Sequence, residues 1–159
     1  MPIRNHIWLR EVLDDDLDTL FEIEHDPESN AMAVANARTR EEFDEHWQRV
    51  RTDTHVRVRA SVFESRLVGS ISCFTMDDRD CVGYWIAREF WGRGIATEAV
   101  RLLLDEVRAR PLWARVAVSN TGSVRVLEKS GFVQHARFMS EETPRFPACE
   151  EFLMRLDAN

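Results

Sequence analysis

Two glycines separated by one residue, Gly92 and Gly94, stand between an apolar run and a helix-like segment. Glycine allows a positive φ and lets a ligand approach the backbone closely. The predicted helix begins at Ile95, and the unsatisfied amides of its first turn, together with its dipole, favour a negative charge. The segment from Gly92 to Thr97 therefore predicts an anion site that suits a diphosphate.

Three kinds of phosphate-binding loop are candidates for this segment. A P-loop requires Gly-Lys-Ser/Thr after four spacer residues, and the chain lacks that pattern. A dinucleotide-binding loop requires a small residue where Thr97 stands, and an acidic residue that ends a strand about 20 positions later. Asp105 and Glu106 fall inside a predicted helix instead. A coenzyme A pyrophosphate loop requires only the features present, and a plain tight turn is the alternative for the glycines alone.

A second segment strengthens the coenzyme A interpretation. The loop, Trp-Gly-Arg-Gly-Ile-Ala, resembles the Gln/Arg-x-x-Gly-x-Gly/Ala loop of the GNAT superfamily of N-acetyltransferases, although Trp91 departs from that pattern. The segment from Asn120 to Phe132 resembles the Asn-x-x-Ser…Glu-Lys-x-Gly-Phe helix of the RimJ/RimL-like branch, which acetylates ribosomal-protein N-termini. Residues 7–156 follow the element order of that branch. The two motifs are specific for the superfamily and leave the substrate open.

The resemblance implies acetyl-CoA as the co-substrate, with its pantetheine arm paired to the strand before the loop as an added strand would be. The thioester would lie where strand 81–86 diverges from strand 116–118. Asn120 would hydrogen-bond the pantetheine or serve only as a helix N-cap. The predicted cofactor-binding residues are Trp85, Ile86, Ala87, Arg88, Gly92, Arg93, Gly94, Ile95, Ala96, Thr97, Asn120, Ser123, Arg125 and Lys129.

The acid that protonates the leaving thiolate is harder to assign. Many relatives use a tyrosine just before Glu-Lys-x-Gly-Phe, and this position is Leu127 here. The only tyrosine is Tyr84, on the predicted strand. The resemblance places the Ser123 hydroxyl near the sulfur, so Ser123 is the predicted acid, with a purely structural serine as the alternative. Such an acid would increase the reaction rate by about 10²-fold or less, because a thiolate whose thiol has a pKa of about 8.5 is a modest leaving group.

A base must also accept a proton from the amine, whose pKa is about 8 for an α-amine and about 10.4 for lysine. The resemblance implies that the first helical region forms one side of the acceptor site. Glu24 is the base that we predict, and a solvated surface residue is its more frequent alternative. The other candidates are Glu22, His25 and Asp80. Residues 17–38 contain several carboxylates and one arginine, so a negative field that attracts an ammonium group is expected.

The elements that position these residues follow from residue periodicity. Strands are predicted at 7–9, 56–62, 67–74, 81–86, 116–118, 134–139 and 151–156. Helices are predicted after Asp16, Thr39, Gly94 and Asn120, and Pro27 ends the first or lies just past it. This order, with many short connections, predicts an α/β (α+β) GNAT fold with a central, twisted, mostly antiparallel mixed sheet flanked by helices. It predicts a single domain over residues 1–159.

Composition narrows the possible functions. With 21 Lys and Arg against 28 Asp and Glu, the net charge is −7, so nucleic acid is not an expected partner. No apolar run approaches the ~20 residues of a membrane helix, and the N-terminus lacks a signal-peptide core, so we expect no membrane and a cytoplasmic location. The 3 cysteines are scattered, which favours reduced thiols over a disulfide or metal site. The sequence does not decide between a monomer and a homodimer.

The predicted reaction is direct acetyl transfer to a primary amine on a small molecule or a protein N-terminus. Neither Cys73 nor Cys81 has an evident histidine partner that would make it a nucleophile. One alternative is a CoA-binding regulatory module that has lost catalysis, which the missing tyrosine supports. Another is a nicotinamide-dependent enzyme. Measuring CoA release with a panel of amines would test the regulatory module. Comparing the melting temperature of the protein with NADH and with acetyl-CoA would test the nicotinamide-dependent enzyme.

Overall fold

Seven β-strands form one sheet in the computed structural model, which describes residues 6–158. The strands are β1 (Ile7–Arg10), β2 (Arg57–Phe63), β3 (Arg66–Met76), β4 (Arg79–Ile86), β5 (Leu112–Ala117), β6 (Val133–Met139) and β7 (Glu150–Leu156). Their order is β1-β2-β3-β4-β5-β7-β6, and among these strands only β4 and β5 pair in parallel. The predicted mostly antiparallel sheet is confirmed. The expectation about a leader concerns mainly residues 1–5, which lie outside the described range.

Five α-helices accompany the sheet within residues 6–158. They are α1 (Leu17–His25), α2 (Pro27–Ala33), α3 (Arg40–Thr52), α4 (Ile95–Glu106) and α5 (Thr121–Lys129). None of these helices has the length and apolar composition that crossing a membrane requires. A 3₁₀ turn precedes α1, and another, Arg88–Phe90, follows β4.

The segment between β1 and β2 contains three α-helices, whereas the sequence predicts two. Pro27 does not end the first helix but is the first residue of α2. The Asp26 side chain caps α2 by accepting a hydrogen bond from the Ser29 amide at 2.9 Å. Proline suits the first helical position because its missing N–H would have no partner there. Pro27 thus lies just past α1, as one of the two predicted placements had it, but the helix that it starts was not predicted.

The predicted start of α3 is confirmed. The Thr39 hydroxyl accepts from the Glu42 amide at 3.2 Å, and the Glu42 carboxylate accepts from the Thr39 amide at 2.9 Å. This reciprocal pair is the capping box expected from the spacing. The helix then buries Phe43 and Trp47 against the sheet, so α3 is anchored by its predicted stripe.

Alternating residues divide the sheet into two faces. Ala60, Ser70 and Trp85 lie side by side on one face, and Ala60 shares a core with Phe43 and Trp47, so we term it the α1–α3 face. Ile71 and Tyr84 lie opposite each other on the other face. Ile71 packs there with residues of α4 and α5, so we term it the α4–α5 face. Tyr84 and Trp85 therefore point to opposite sides of β4.

The sheet opens between β4 and β5. These parallel strands pair only at Cys81 and Trp113, near the start of each strand. The rest of β4, up to Ile86, has no ladder to β5, and we term this gap the β4–β5 opening. The divergence predicted for this place is confirmed. However, β5 begins at Leu112 rather than near 116, because its first residues must reach Cys81.

Gly69 packs against the end of β4. A Cβ atom at this position would lie 1.8 Å from the Trp85 carbonyl oxygen and 2.9 Å from its carbon. Only glycine permits such a close approach between two strands. Nearby, the Ala87 amide donates to the Val68 carbonyl at 2.8 Å, so β3 holds the point where β4 leaves the sheet.

We expect Gly69→Ala to lower the melting temperature by several degrees. Overpacking of this kind costs about 1–3 kcal/mol, and each kcal/mol lowers the melting temperature of a chain of this size by about 2–4 °C. Thermal unfolding of purified variants checks this. Gly122→Ala is the matched control, because nothing lies within 4 Å of the position that the added Cβ would take, and alanine favours the helix. Equal melting temperatures for Gly69→Ala and the parent would contradict the close packing.

Candidate active site

The glycine loop connects the 3₁₀ turn after β4 to α4. Gly92 and Gly94 adopt φ values of 73° and 79°, which side chains rarely tolerate. Nothing lies within 4 Å of the place where a Cβ of Gly92 would be, so this part of the loop faces open space. The indole of Trp91 donates to the Ile86 carbonyl at 2.8 Å and fixes the loop to the end of β4. The sequence correctly assigned both glycines to special backbone positions.

The first turn of α4 leaves three amides without an intrahelical partner. Its first intrahelical bond runs from the Glu98 amide to the Gly94 carbonyl at 3.1 Å. The amides of Ile95, Ala96 and Thr97 precede that bond, at the positive end of the helix dipole. The two positive-φ glycines and the free amides that the prediction requires are therefore present, and diphosphate binding stays a prediction.

The four predicted cationic residues differ in their surroundings. Arg125 and Lys129 are exposed on α5. Arg93 is exposed on the loop, with its guanidinium over the Phe63 and Phe90 rings at 5.1 and 5.4 Å. Arg88 instead turns toward α2. Its guanidinium binds Asp26 through two hydrogen bonds, of 3.0 and 3.1 Å, and approaches the Glu28 carboxylate at 3.1 Å. The structure thus places Arg88 between the loop and α2, and its phosphate role stays a prediction.

Tyr84 and Ser123 meet on the α4–α5 face, where their hydroxyl oxygens lie 2.6 Å apart. Asn120 positions Ser123, because its side-chain oxygen accepts from the Ser123 amide at 3.3 Å and caps α5. The helix-cap role weighed for Asn120 is thus present, and its pantetheine bond stays a prediction. Burial raises the pKa of Tyr84 to about 12, although the hydrogen bond with Ser123 opposes this increase. The phenol is therefore protonated at neutral pH.

The contact between Tyr84 and Ser123 was not predicted from the sequence. Only the absence of a tyrosine from the family's usual position on the helix was evident there. Strand alternation contained a usable indication, since Tyr84 shares a face with Val82, which packs in the same core as Val124 of α5. The contact itself joins residues 39 positions apart, so no local pattern predicts its distance.

Glu24 is buried, with 6% of its surface exposed. Its carboxylate accepts from the Trp47 indole at 3.1 Å and lies 3.4 Å from the Arg38 guanidinium. Burial raises the pKa of Glu24, against the opposing effects of Trp47 and Arg38. The alternative of a solvated surface residue is therefore wrong for Glu24. Its role as a base stays a prediction.

The expected negative field on the acceptor wall is not what the structure shows. Arg88 pairs with Asp26 and Glu28, and Arg38 pairs with Glu24, so most of these carboxylates have a cationic partner. They fix helices in place rather than solvate a surface.

The remaining base candidates lie on two separate elements, Glu22 and His25 on α1 and Asp80 on β4. Glu22 is exposed on α1. His25 is also exposed, with its Nδ1 3.2 Å from the Arg38 carbonyl. Asp80 lies at the closed end of the β4–β5 opening, where the Thr75 hydroxyl donates to it at 3.4 Å. The structure therefore does not bring these three residues together.

Comparison with protein families finds a match along most of the chain. Residues 6–133 match a family described as "acetyltransferase (GNAT) domain". The Bacillus subtilis (strain 168) protein YjcK, named as a probable N-acetyltransferase, is 39% identical over 77 residues, which are 43% of this chain and 42% of YjcK. YdaF of the same strain, named provisionally as a ribosomal N-acetyltransferase, is 32% identical over 98 residues, 57% of this chain and 54% of YdaF. The matched segments thus span about half the length of these curated relatives.

Solved structures share the fold. Spermidine N-acetyltransferase from Vibrio cholerae, crystallised with CoA and spermine, superposes with a TM-score of 0.79 at 17% identity, covering 96% of both chains. RimL, the ribosomal L7/L12 α-N-protein acetyltransferase, superposes with a TM-score of 0.83 at 15% identity. That superposition covers 99% of this chain and 93% of RimL. At these identities the likeness establishes the arrangement of strands and helices.

Proposed function

Because the chain belongs to the GNAT acetyltransferase family, we propose that it transfers the acetyl group of acetyl-CoA directly to a primary amine. The observation that carries this proposal is the combination of the glycine loop before α4 and a part-buried hydroxyl pair. Tyr84 of this pair lies on the strand that borders the β4–β5 opening, and Ser123 lies on α5. Similar proteins support it, since the spermidine N-acetyltransferase is crystallised with CoA and an amine, spermine.

The loop and β4 would hold acetyl-CoA. The pyrophosphate would bind the amides of Gly92 to Thr97, where the helix dipole favours anions. The pantetheine would lie along Trp85 to Ala87, where β4 has no ladder to β5. Arg93, Arg125 and Lys129 would contact the phosphates from both sides of the loop.

The hydroxyl pair would serve the leaving group. A phenol is a more acidic hydroxyl than a serine, so we infer that Tyr84 donates to the Ser123 oxygen across the 2.6 Å contact. The Ser123 proton is then free to point toward the sulfur. Because Tyr84 has a pKa of about 12, it keeps this role at any pH at which the protein works. Ser123 would thus be the acid, and Tyr84 would position it.

Direct transfer is favoured over a covalent enzyme intermediate. Cys73 and Cys81 are both buried, and burial raises the pKa of Cys81 to about 11 and that of Cys73 above its ordinary value. Neither thiol therefore forms the thiolate that a nucleophile requires. In the proposed step, the amine nitrogen bonds to the acetyl carbon and the carbon–sulfur bond breaks. The amine loses a proton to the base, and the CoA thiolate gains one from Ser123, whose oxygen is then reprotonated by solvent.

Glu24 is the proposed proton acceptor for the amine. A carboxylate with a raised pKa is a stronger base, and its hydrogen bond from Trp47 fixes its orientation. Since Glu24 is buried, the proton would reach it through water rather than by direct contact.

The proposal is tested by measuring CoA thiol release with a panel of amines, namely a peptide N-terminus, an aminoglycoside, a polyamine and an amino acid. We expect release with at least one amine, together with a product 42 Da heavier, the mass of an added acetyl group. Tight CoA binding without release from any amine would instead support the regulatory module.

A further inference from the structure

The segment between β6 and β7, residues 140–149, closes over the α1–α3 face. The Asn36 amide donates to the Arg145 carbonyl at 2.7 Å, and the Asn36 side chain donates to the Pro144 carbonyl at 3.2 Å. The Arg145 guanidinium donates to the Asn30 side chain at 3.1 Å and to the Asn36 carbonyl. These bonds attach residues 140–149 to the connection between α2 and α3, which forms one wall of the site.

Arg145 reaches β4 from this wall. Its guanidinium lies over the Trp85 ring, 5.5 Å from the ring centroid. Trp85 follows Tyr84 on β4 and points to the opposite face of the sheet. Arg145 therefore lies on the α1–α3 side of the strand that borders the β4–β5 opening, across from the hydroxyl pair.

Arg38 and Arg145 are linked through Glu24 and Asn30. The Arg38 guanidinium lies 3.4 Å from the Glu24 carboxylate, and the Asn30 side chain, which accepts from Arg145, donates to the Glu24 carbonyl at 2.8 Å. Burial lowers the pKa of Arg145 to about 10, and the positive charge of Arg38 contributes to this decrease. Burial also lowers the pKa of Arg38. His46 stays neutral beside them, because burial and the nearby arginines lower its pKa to about 4. The charged groups that act on this cluster are Arg38, Arg49, Arg145, Glu24 and Glu42. Positive charge is thus in excess.

Several N–H donors of the two guanidiniums have no protein partner. Within residues 6–158, both groups form hydrogen bonds only through their Nη1 atoms. The Arg145 Nε atom is buried and has no hydrogen-bond partner among those residues. A guanidinium carries five N–H donors, and a buried donor without a partner is costly. An added anion would satisfy both the donors and the excess charge.

We propose that Arg38 and Arg145 bind an anionic group of the acceptor, a carboxylate or a phosphate, so that the preferred substrate is a primary amine that also carries an oxyanion. This inference rests on the proposed acetyl transfer and names its acceptor class. Arginine is suited to the task because its planar fork binds two oxygens of a carboxylate or phosphate at once. Polyamines, which carry only positive charge, are disfavoured by the same cluster.

Binding is tested first, by calorimetry with inorganic phosphate on protein saturated with CoA, so that the loop is already filled. We expect phosphate to bind the parent, and Arg38→Gln to weaken its affinity at least tenfold. Arg108→Gln removes the same charge from an exposed residue that does not act on the cluster, and is the matched control, expected within about twofold of the parent. If Arg38→Gln melts at a lower temperature, Arg38→Lys replaces it, since lysine keeps the charge and loses the fork.

Turnover distinguishes the two anions. We expect kcat/KM for phosphoethanolamine over ethanolamine, or for glycine over glycinamide, to be at least tenfold, and Arg38→Gln to reduce that ratio. Phosphate binding that is absent, or equally strong in Arg38→Gln, would overturn the anion subsite. So would a polyamine used better than either anionic amine. Arg38-dependent phosphate binding without thiol release from any amine would support the subsite and count against the proposed transfer.

Discussion

Replacing Gly94 with glutamate should raise the Kd for acetyl-CoA by more than about 100-fold, while the protein stays folded. Gly94 has a φ of 79° and immediately precedes α4, where the diphosphate would approach the backbone. A glutamate there adds bulk and a negative charge at the position where the phosphates need both space and donors. Calorimetry with acetyl-CoA measures the loss, and thermal unfolding shows whether the variant remains folded.

Gly94→Ala serves as the control for backbone strain. A side chain at positive φ costs about 1–2 kcal/mol, whichever residue carries it. Both variants should therefore lose a similar amount of stability, while Gly94→Ala should keep more of its affinity for acetyl-CoA. An unchanged affinity in a folded Gly94→Glu protein would rule out the loop as the pyrophosphate site.

Replacing Ser123 with alanine should lower kcat by up to about 10²-fold and change the KM for acetyl-CoA much less. The proposed proton transfer occurs in the transition state, so its loss affects kcat rather than ground-state binding. Tyr84→Phe should lower kcat by a smaller factor, because Ser123 keeps its hydroxyl and loses only the donor that orients it. Steady-state kinetics with an amine for which chemistry limits the rate provides the measurement.

Two observations would separate this role from a structural one. Ser119→Ala removes a hydroxyl from an exposed residue just before α5 and should leave kcat at the parental value. Tyr84 has a pKa of about 12, so the kcat profile of the parent should show no loss from Tyr84 ionisation below about pH 10. If Ser123→Ala and Ser119→Ala have the same kcat, Ser123 is not the acid.

The parts of the fold that sequence predicted well are those with local causes. The loop at Gly92 and Gly94, the capping box at Thr39 and the strand β2 depend on neighbouring residues, and the structure contains all three. The half-buried alternation predicted for β2 does not extend to its end, because residues 60–63 are all buried. The helix α2 was missed because Pro27 was interpreted only in relation to the end of the first helix, not as the start of another. Asp26 before it and Ser29 after it supply the cap that would have indicated a helix start.

The acceptor side was predicted less well because its contacts are long-range. Arg145 binds Asn36 across 109 positions, and no periodicity connects the two residues. Glu24 is a different case. It follows Leu20 and Ile23 at the spacing of a buried helix face, so its burial was predictable from the sequence. The expectation of a negative wall failed because it counted carboxylates and not the arginines that fold against them.

The narrow junction between β4 and β5 also bears on how firmly the molecule holds its shape. A sheet of seven strands is joined there at one register pair, Cys81 with Trp113, so the two parts can twist against each other with little backbone hydrogen bonding to resist them. A ligand arm that hydrogen-bonds to the free edge of β4 would stiffen this joint. We expect amide hydrogen exchange to slow in β5 and β7 when CoA is bound, although neither strand need touch the nucleotide. Substrate binding would then change the elasticity of the sheet as well as fill its gap.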